Sequence, residues 1–179
     1  LRVYLLVANV ITRRLREKYK EKTTTRVQTR NPADKPRPLI IIVEEAHEFL
    51  APGIAHETPF GKIAREMRNY FVSLLVVDQR PSAIDEEVLS QIGTKVVAQL
   101  SDDRDIGAAL VGISSAAGLR QVLASLDCKQ QALILGHAVP MPIVIRTRTY
   151  DENFYQAVRE RAMSGSFTEA QKEIGDLFY

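Results

Sequence analysis

The run Leu39 to Val43 (LIIIV) is unbroken, apolar and largely β-branched, and two carboxylates, Glu44 and Glu45, follow it at once. Such a run suits a strand covered on both faces, as in a parallel sheet flanked by helices. A second run, Phe71 to Val77 (FVSLLVV), repeats the pattern. Between the two, Thr58 and Pro59 can open a helix reaching about Asn69, with Phe60, Ile63, Ala64 and Met67 on one face. Strand, helix, strand is a βαβ unit, and it predicts an α/β fold.

The rest of the chain is read around that unit. Leu1, Tyr4, Leu5, Ala8, Ile11 and Leu15 recur at helical spacing and predict a mostly buried helix to about residue 20. Arg13 to Arg30 holds eight Lys or Arg against two Glu, and 22–38, with Thr23, Thr24, Thr25 and NPADKPRP, is expected to be a flexible basic and Pro-rich connection. After Pro81 the spacing predicts a helix over Asp85 to Gln91, a strand over Thr94 to Leu100, a helix from Asp102 towards Val111, and another opened by Ser114 or Ser115 and ending near Val122. ALILG and PIVIRTR read as a late β-hairpin or two edge strands, because Pro140 and Pro142 would interrupt a central ladder. Asp151 is placed to cap a C-terminal helical region, 151–179, which restarts after Gly165.

Composition excludes several classes. A chain of 179 residues suits one domain better than two. Its net charge of +2 provides no global field for nucleic acid, so any such contact is local. Cys128 is the single cysteine, which excludes an internal disulfide and a Cys-based zinc cluster and favours a reducing, cytoplasmic setting. The opening LRVYLLVANVI is too short to span a bilayer and has its arginines on the wrong side for a secretion signal, so no membrane role is expected.

The polar residues at the two strand ends are the candidates for chemistry. Glu44 and Glu45 reach the carboxyl edge of the sheet, where open α/β folds bind ligands. There, one carboxylate can order the water around a magnesium ion while the other orients an attacking water, the chemistry of a Walker B element. The alternative is an ordinary solvated strand-to-turn junction. Asp78, Gln79 and Arg80 stand at the same place on the second strand, just before Pro81. Gln79 can donate to a phosphate oxygen or simply satisfy backbone groups in the turn. His47, His56 and Glu57 lack the H-E-x-x-H spacing of a metal site, and His47 is expected to support the turn after Glu45 by hydrogen bonding. Ser90 and Ser114 have no nucleophile elbow. The chain contains neither G-x-G-x-x-G nor G-x-x-x-x-G-K-[ST]; its one Gly-Lys pair, Gly61-Lys62, is followed by Ile63.

IIIVEEAHEFL, then REMRNYFVSLLVVDQRPSAIDEEVLSQIGT, then DDRDI, together resemble the HerA/FtsK group of hexameric DNA-translocating ATPases, and more closely its HerA branch, over roughly Leu39 to Ile145. The resemblance implies a RecA-like P-loop NTPase core, here incomplete, in three layers with a mainly parallel sheet. It implies ATP and Mg2+ as cofactors, duplex DNA as substrate, a homo-hexamer and, for the HerA branch, a NurA-like nuclease in DNA end processing. By the same resemblance Glu45 is the glutamate that orients water and Glu44 the magnesium-side acid, acting directly or through water. Gln79 is the γ-phosphate sensor, Arg68 the arginine that reaches a neighbouring subunit's nucleotide, and Asp105 a structural acid. With leucine first and no Walker A element, 1–179 is expected to be the C-terminal part of one ATPase domain, inactive alone. A non-translocating RecA-like assembly or secretion ATPase, and a non-catalytic α/β scaffold, are the alternative readings.

Overall fold

A computed structural model describes residues 2–31, 33, 35–56, 58–113 and 116–163, with only the backbone described for 2–5, 65, 67, 68 and 161–163. Ser114, Ser115, Glu57 and the helix expected after Gly165 lie outside the described residues.

The apolar runs form strands β1 (Leu39–Glu44) and β2 (Val72–Val77), paired in parallel with Leu39 opposite Val72 and Glu44 opposite Val77. They are linked by two helices, α2 (His47–Leu50) and α3 (Pro59–Glu66), and by a 3-10 turn over Met67–Tyr70. The expected βαβ unit is therefore present, although its main helix gives way to 3-10 geometry before Asn69. Pro59 opens α3, while the buried Thr58 hydroxyl donates to the carbonyls of Phe49 and Ala55.

Cover on both faces of this sheet was the expectation from the unbroken apolar run. Among the described residues only one face is covered. Val43 packs with Ala46, Leu50, Phe60, Ile84, Val88 and Leu89, and Val72 packs with Tyr19 and Ile63. On the opposite face Ile40 and Ile42 remain 61% and 60% exposed, and Leu75 and Val77 alternate outward beside them.

The first helix, α1 (Arg2–Thr29), runs beyond residue 20 and takes up much of the stretch expected to be a flexible connection. The three threonines do not break it, because each hydroxyl donates to a carbonyl one turn back: Thr23 to Tyr19, Thr24 to Lys20 and Thr25 to Glu21. Tyr19 anchors its middle against Ile63 and Val72.

A second sheet carries the later strands. β3 (Thr94–Val97), β4 (Gln131–Gly136) and β5 (Ile143–Arg146) pair antiparallel in the order β3-β4-β5, so the expected hairpin is β4–β5 and parallel pairing among the described residues is confined to β1–β2. Gly136 closes the β3–β4 end in a positive-φ conformation; a β-carbon there would lie 2.1 Å from the Gly93 carbonyl oxygen. Helix α4 (Glu86–Gln91) packs with β1 through Val88 and Leu89, and α5 (Asp103–Ala109) and α6 (Ala116–Ser125) pack with β4 through Ile106 and Leu123. Asp85 and Asp102 cap α4 and α5, and Asp151 accepts from the Phe154 N–H at the start of α7 (Glu152–Met163). Ile106, Leu110, Leu123, Leu126, Leu133 and Leu135 form the second core. No helix among the described residues is long and apolar enough to cross a membrane.

Candidate active site

Parallel pairing brings the C-terminal ends of β1 and β2 side by side, which is where the chemistry was expected. Glu44 ends β1 opposite Val77, and Asp78, Gln79 and Arg80 follow directly from β2. Glu45 turns the chain off the sheet in the left-handed region, at φ +47°. An L-residue with a γ-carbon pays for that conformation, which is why it is uncommon outside turns and functional sites. Ala46 returns to the right-handed region, its N–H reaches the Val77 carbonyl at 3.4 Å, and α2 starts at His47. Glu45 and Gln79 are both exposed at this edge.

One carboxylate stitches the two strand ends together. Asp78 Oδ2 accepts the His47 N–H at 2.8 Å and lies 2.8 Å from His47 Nδ1, while Oδ1 accepts the Arg80 N–H at 2.7 Å. Burial pushes the Asp78 carboxyl upward, but the N–H groups of Arg80 and His47 and the His47 ring outweigh it and hold the group below its ordinary range. The hydrogen bond to Asp78 correspondingly holds His47 above the ordinary imidazole range, helped by the charges of Asp78, Glu45 and Glu48. His47 thus supports the turn after Glu45 as the sequence suggested. Asp78 was not singled out for a role. Its signal was an Asx turn in D-x-R-P form, an acid whose side chain bonds the backbone two residues on.

Donor atoms of Glu45, His47 and Asp78 lie within 4.8 Å of one another, as do those of His56, Asp85 and Glu87. In the first cluster Asp78 already faces two backbone N–H donors and a ring nitrogen, which compete with a cation for its oxygens. Glu44 is not part of either cluster. It presents an exposed carboxylate at the strand end, a hard oxygen donor of the kind magnesium takes.

Arg68 is not brought to this edge. It lies in the 3-10 turn that precedes β2, at the opposite end of a six-residue strand, and so about 20 Å of strand separates it from Gln79. Its side chain is outside the described residues. Asp105 accepts the N–H of Ser82 at 3.0 Å and ties the turn after Gln79 to α5.

Comparison with known proteins follows the same residues. No family model matches the chain. It is 33% identical over 165 residues to the DNA double-strand break repair helicase HerA of Pyrococcus furiosus, an alignment covering 90% of this chain and 28% of that protein. HerA of Saccharolobus solfataricus is 33% identical over 117 residues, covering 64% of this chain and 23% of the helicase. Over this stretch the chain is a homologue of the HerA helicases, within the HerA/FtsK-like group. The HerA-like chain spans about a quarter of the length of these relatives. The genome packaging NTPase B204 of Sulfolobus turreted icosahedral virus 2, solved in complex with AMP, superposes with a TM-score of 0.53 at 15% identity, over 63% of this chain and 55% of B204. The AMPPCP complex of B204 gives a TM-score of 0.51 at 14% identity, over 63% and 56%. What is shared is the fold, over about three fifths of this chain.

Proposed function

We propose that this HerA-like chain carries the Walker B and sensor half of an ATP-hydrolysing ring motor that translocates or unwinds duplex DNA. The observation that carries the reading is the placement of Glu44, Glu45 and Gln79 at adjacent C-terminal ends of two parallel strands, joined through Asp78 and His47. Identity to helicases named for double-strand break repair supports a place in DNA end processing; a NurA-like nuclease as partner and the cytoplasm as setting belong to the same proposal.

In this reading the phosphate-binding loop comes from a segment outside these residues, so the 179-residue chain alone does not turn over ATP. Mg2+ would be held by Glu44, directly or through water, and would neutralise charge on the β- and γ-phosphates. Glu45 accepts a hydrogen bond from the attacking water and aims it at the γ-phosphorus. Gln79 donates its amide N–H to a γ-phosphate oxygen without altering the charge of the site. Arg68, at the opposite end of the parallel pair from Glu45, serves the nucleotide of a neighbouring subunit in a hexamer, where its planar donors match phosphate oxygens. The arginines of α1, including Arg13, Arg14 and Arg16, offer sequence-independent contacts to DNA phosphates, which suit a motor that must not stall on particular bases.

The test is ATP turnover by the complete protein with and without duplex DNA. Duplex-stimulated hydrolysis that Glu45→Gln abolishes, with ATP still bound, is the expected result. Hydrolysis indifferent to DNA would point to an assembly or secretion ATPase, and absence of ATP binding would point to a scaffold.

A further inference from the structure

Asp78 and His47 sit between the two groups on which hydrolysis would turn, and the mechanism above gives neither of them a part. The Asp78 side chain is only 4% exposed. An ionised carboxylate so withdrawn from water is retained where donors satisfy it, and three converge here: the His47 N–H, His47 Nδ1 and the Arg80 N–H. Because Asp78 is an acceptor at low pKa, the ring proton that completes the contact is on Nδ1.

The donors come from the turns after both strands. His47 is two residues beyond Glu45, on the turn whose left-handed residue is Glu45 itself, and Glu45 Oε2 lies 3.7 Å from His47 Nδ1. Arg80 and Asp78 flank Gln79 and are bonded to each other across it. Moving Asp78 therefore moves the backbone on both sides of Gln79 and the turn that aims Glu45.

We propose that Asp78 and His47 are positioning residues of the ATPase site, locking the water-orienting Glu45 and the phosphate-sensing Gln79 into one frame. This rests on the ATPase reading above. The coupling acts on the chemical step, since the contacts of Asp78 and His47 go to each other and to the turns that carry Glu45 and Gln79.

The experiment uses the complete assembled protein and compares Asp78→Asn, His47→Ala, His47→Asn and the double variant Asp78→Asn/His47→Ala. Turnover per nucleotide-loaded site, measured in a single turnover, should fall about 10- to 100-fold in Asp78→Asn and His47→Ala, the range seen when outer-shell partners of catalytic groups are removed. ATP affinity should stay within about threefold, as expected when only orientation is lost. The double variant should be no worse than the poorer single one, because both break the same link. His47→Asn keeps a donor near the position of Nδ1 and should restore most of the rate. Counting only loaded sites removes any loss due to misfolding. Unchanged single-turnover rates, losses that multiply in the double variant, or His47→Asn as poor as His47→Ala would each overturn the proposal. Glu45→Gln in parallel separates the two levels. If it leaves hydrolysis intact, the ATPase reading falls; if it abolishes hydrolysis while the Asp78 and His47 variants behave as wild type, only the positioning role falls.

Discussion

Asp105 Oδ1 accepts the N–H of Ser82 at 3.0 Å, binding the start of α5 to the turn that follows Gln79 across 23 residues of sequence. Asp102, one turn earlier, has its carboxylate committed to the N–H groups of Arg104 and Asp105. The two acids therefore do different work: Asp102 starts the helix, and Asp105 uses the helix to steady the turn after Gln79. Asp105→Ala is expected to cost about 1 kcal/mol, the usual worth of one such bond, and Asp105→Asn, which keeps an acceptor oxygen, much less. Denaturant titration of the two variants checks this; equal losses would mean the hydrogen bond contributes nothing.

The Asp78–His47 pair has a pH signature whose sign follows from the two shifts. Asp78 is held below its ordinary range, so its contribution to stability is present above about pH 4 and is lost as the pH falls through the lowered value. His47 is held above its ordinary range, so its contribution is full below about pH 6.5 and is lost as the pH rises through the raised value. The difference in melting temperature between wild type and Asp78→Asn should be widest between about pH 4 and 6.5 and narrow on either side. A difference constant from pH 4 to 8 would rule out the linkage.

Glu45 stands at φ +47°, a conformation that costs a side-chain-bearing residue about 1 kcal/mol or more. Glu45→Gly should relieve that cost, offset in part by the greater freedom of glycine in the unfolded chain, for a net gain of about 0.5 kcal/mol. Glu45→Val should be destabilising, because a β-branched residue fits the left-handed region worst. Stability that rises in Glu45→Gly while hydrolysis disappears would show strain kept for function; a loss in both would show that the side chain itself holds the turn.

How much of this could be read in advance depends on the range of the interaction. The βαβ unit was legible because LIIIV and FVSLLVV are local signals strong enough to survive tertiary context, and Glu44, Glu45 and Gln79 follow from where those strands end. The length of α1 was not, since Thr23, Thr24 and Thr25, like the lysines before them, read as unable to cover a core until their hydroxyls are seen to bond one turn back. Pairing was only partly legible: β3 could be placed, but its antiparallel partner β4 is over thirty residues away in the chain and no local pattern selects it. Asp78 went unassigned for the same reason, as its partner His47 is 31 residues distant.

Ile42 and Leu75 lie opposite each other on the face of β1–β2 that no described residue covers. Apolar side chains clustered on an open sheet face drive association. The isolated 179-residue chain should therefore self-associate at micromolar concentration, and Ile42→Thr with Leu75→Thr should shift it towards monomer while keeping strand propensity. Sedimentation velocity of the two proteins decides; identical sedimentation would mean that another surface is responsible.

Arg68 and Glu45 should fail in different places. The 3-10 turn holding Arg68 and the turn holding Glu45 are at opposite ends of the parallel pair, the placement that the proposed role in trans requires. Glu45→Gln keeps size and removes the carboxylate proposed to orient water, and should lower hydrolysis by orders of magnitude at the subunit's own nucleotide. Under the proposed role in trans, Arg68→Ala should lower hydrolysis of the neighbour's nucleotide by a comparable factor. In rings mixed from the two variants, some interfaces pair an intact Glu45 with an intact Arg68 and should hydrolyse ATP above either variant ring alone. Coordination around the ring can mask such recovery, so single-turnover cleavage is followed at interfaces of defined composition. Normal cleavage at a site whose neighbour lacks Arg68 would refute the role in trans.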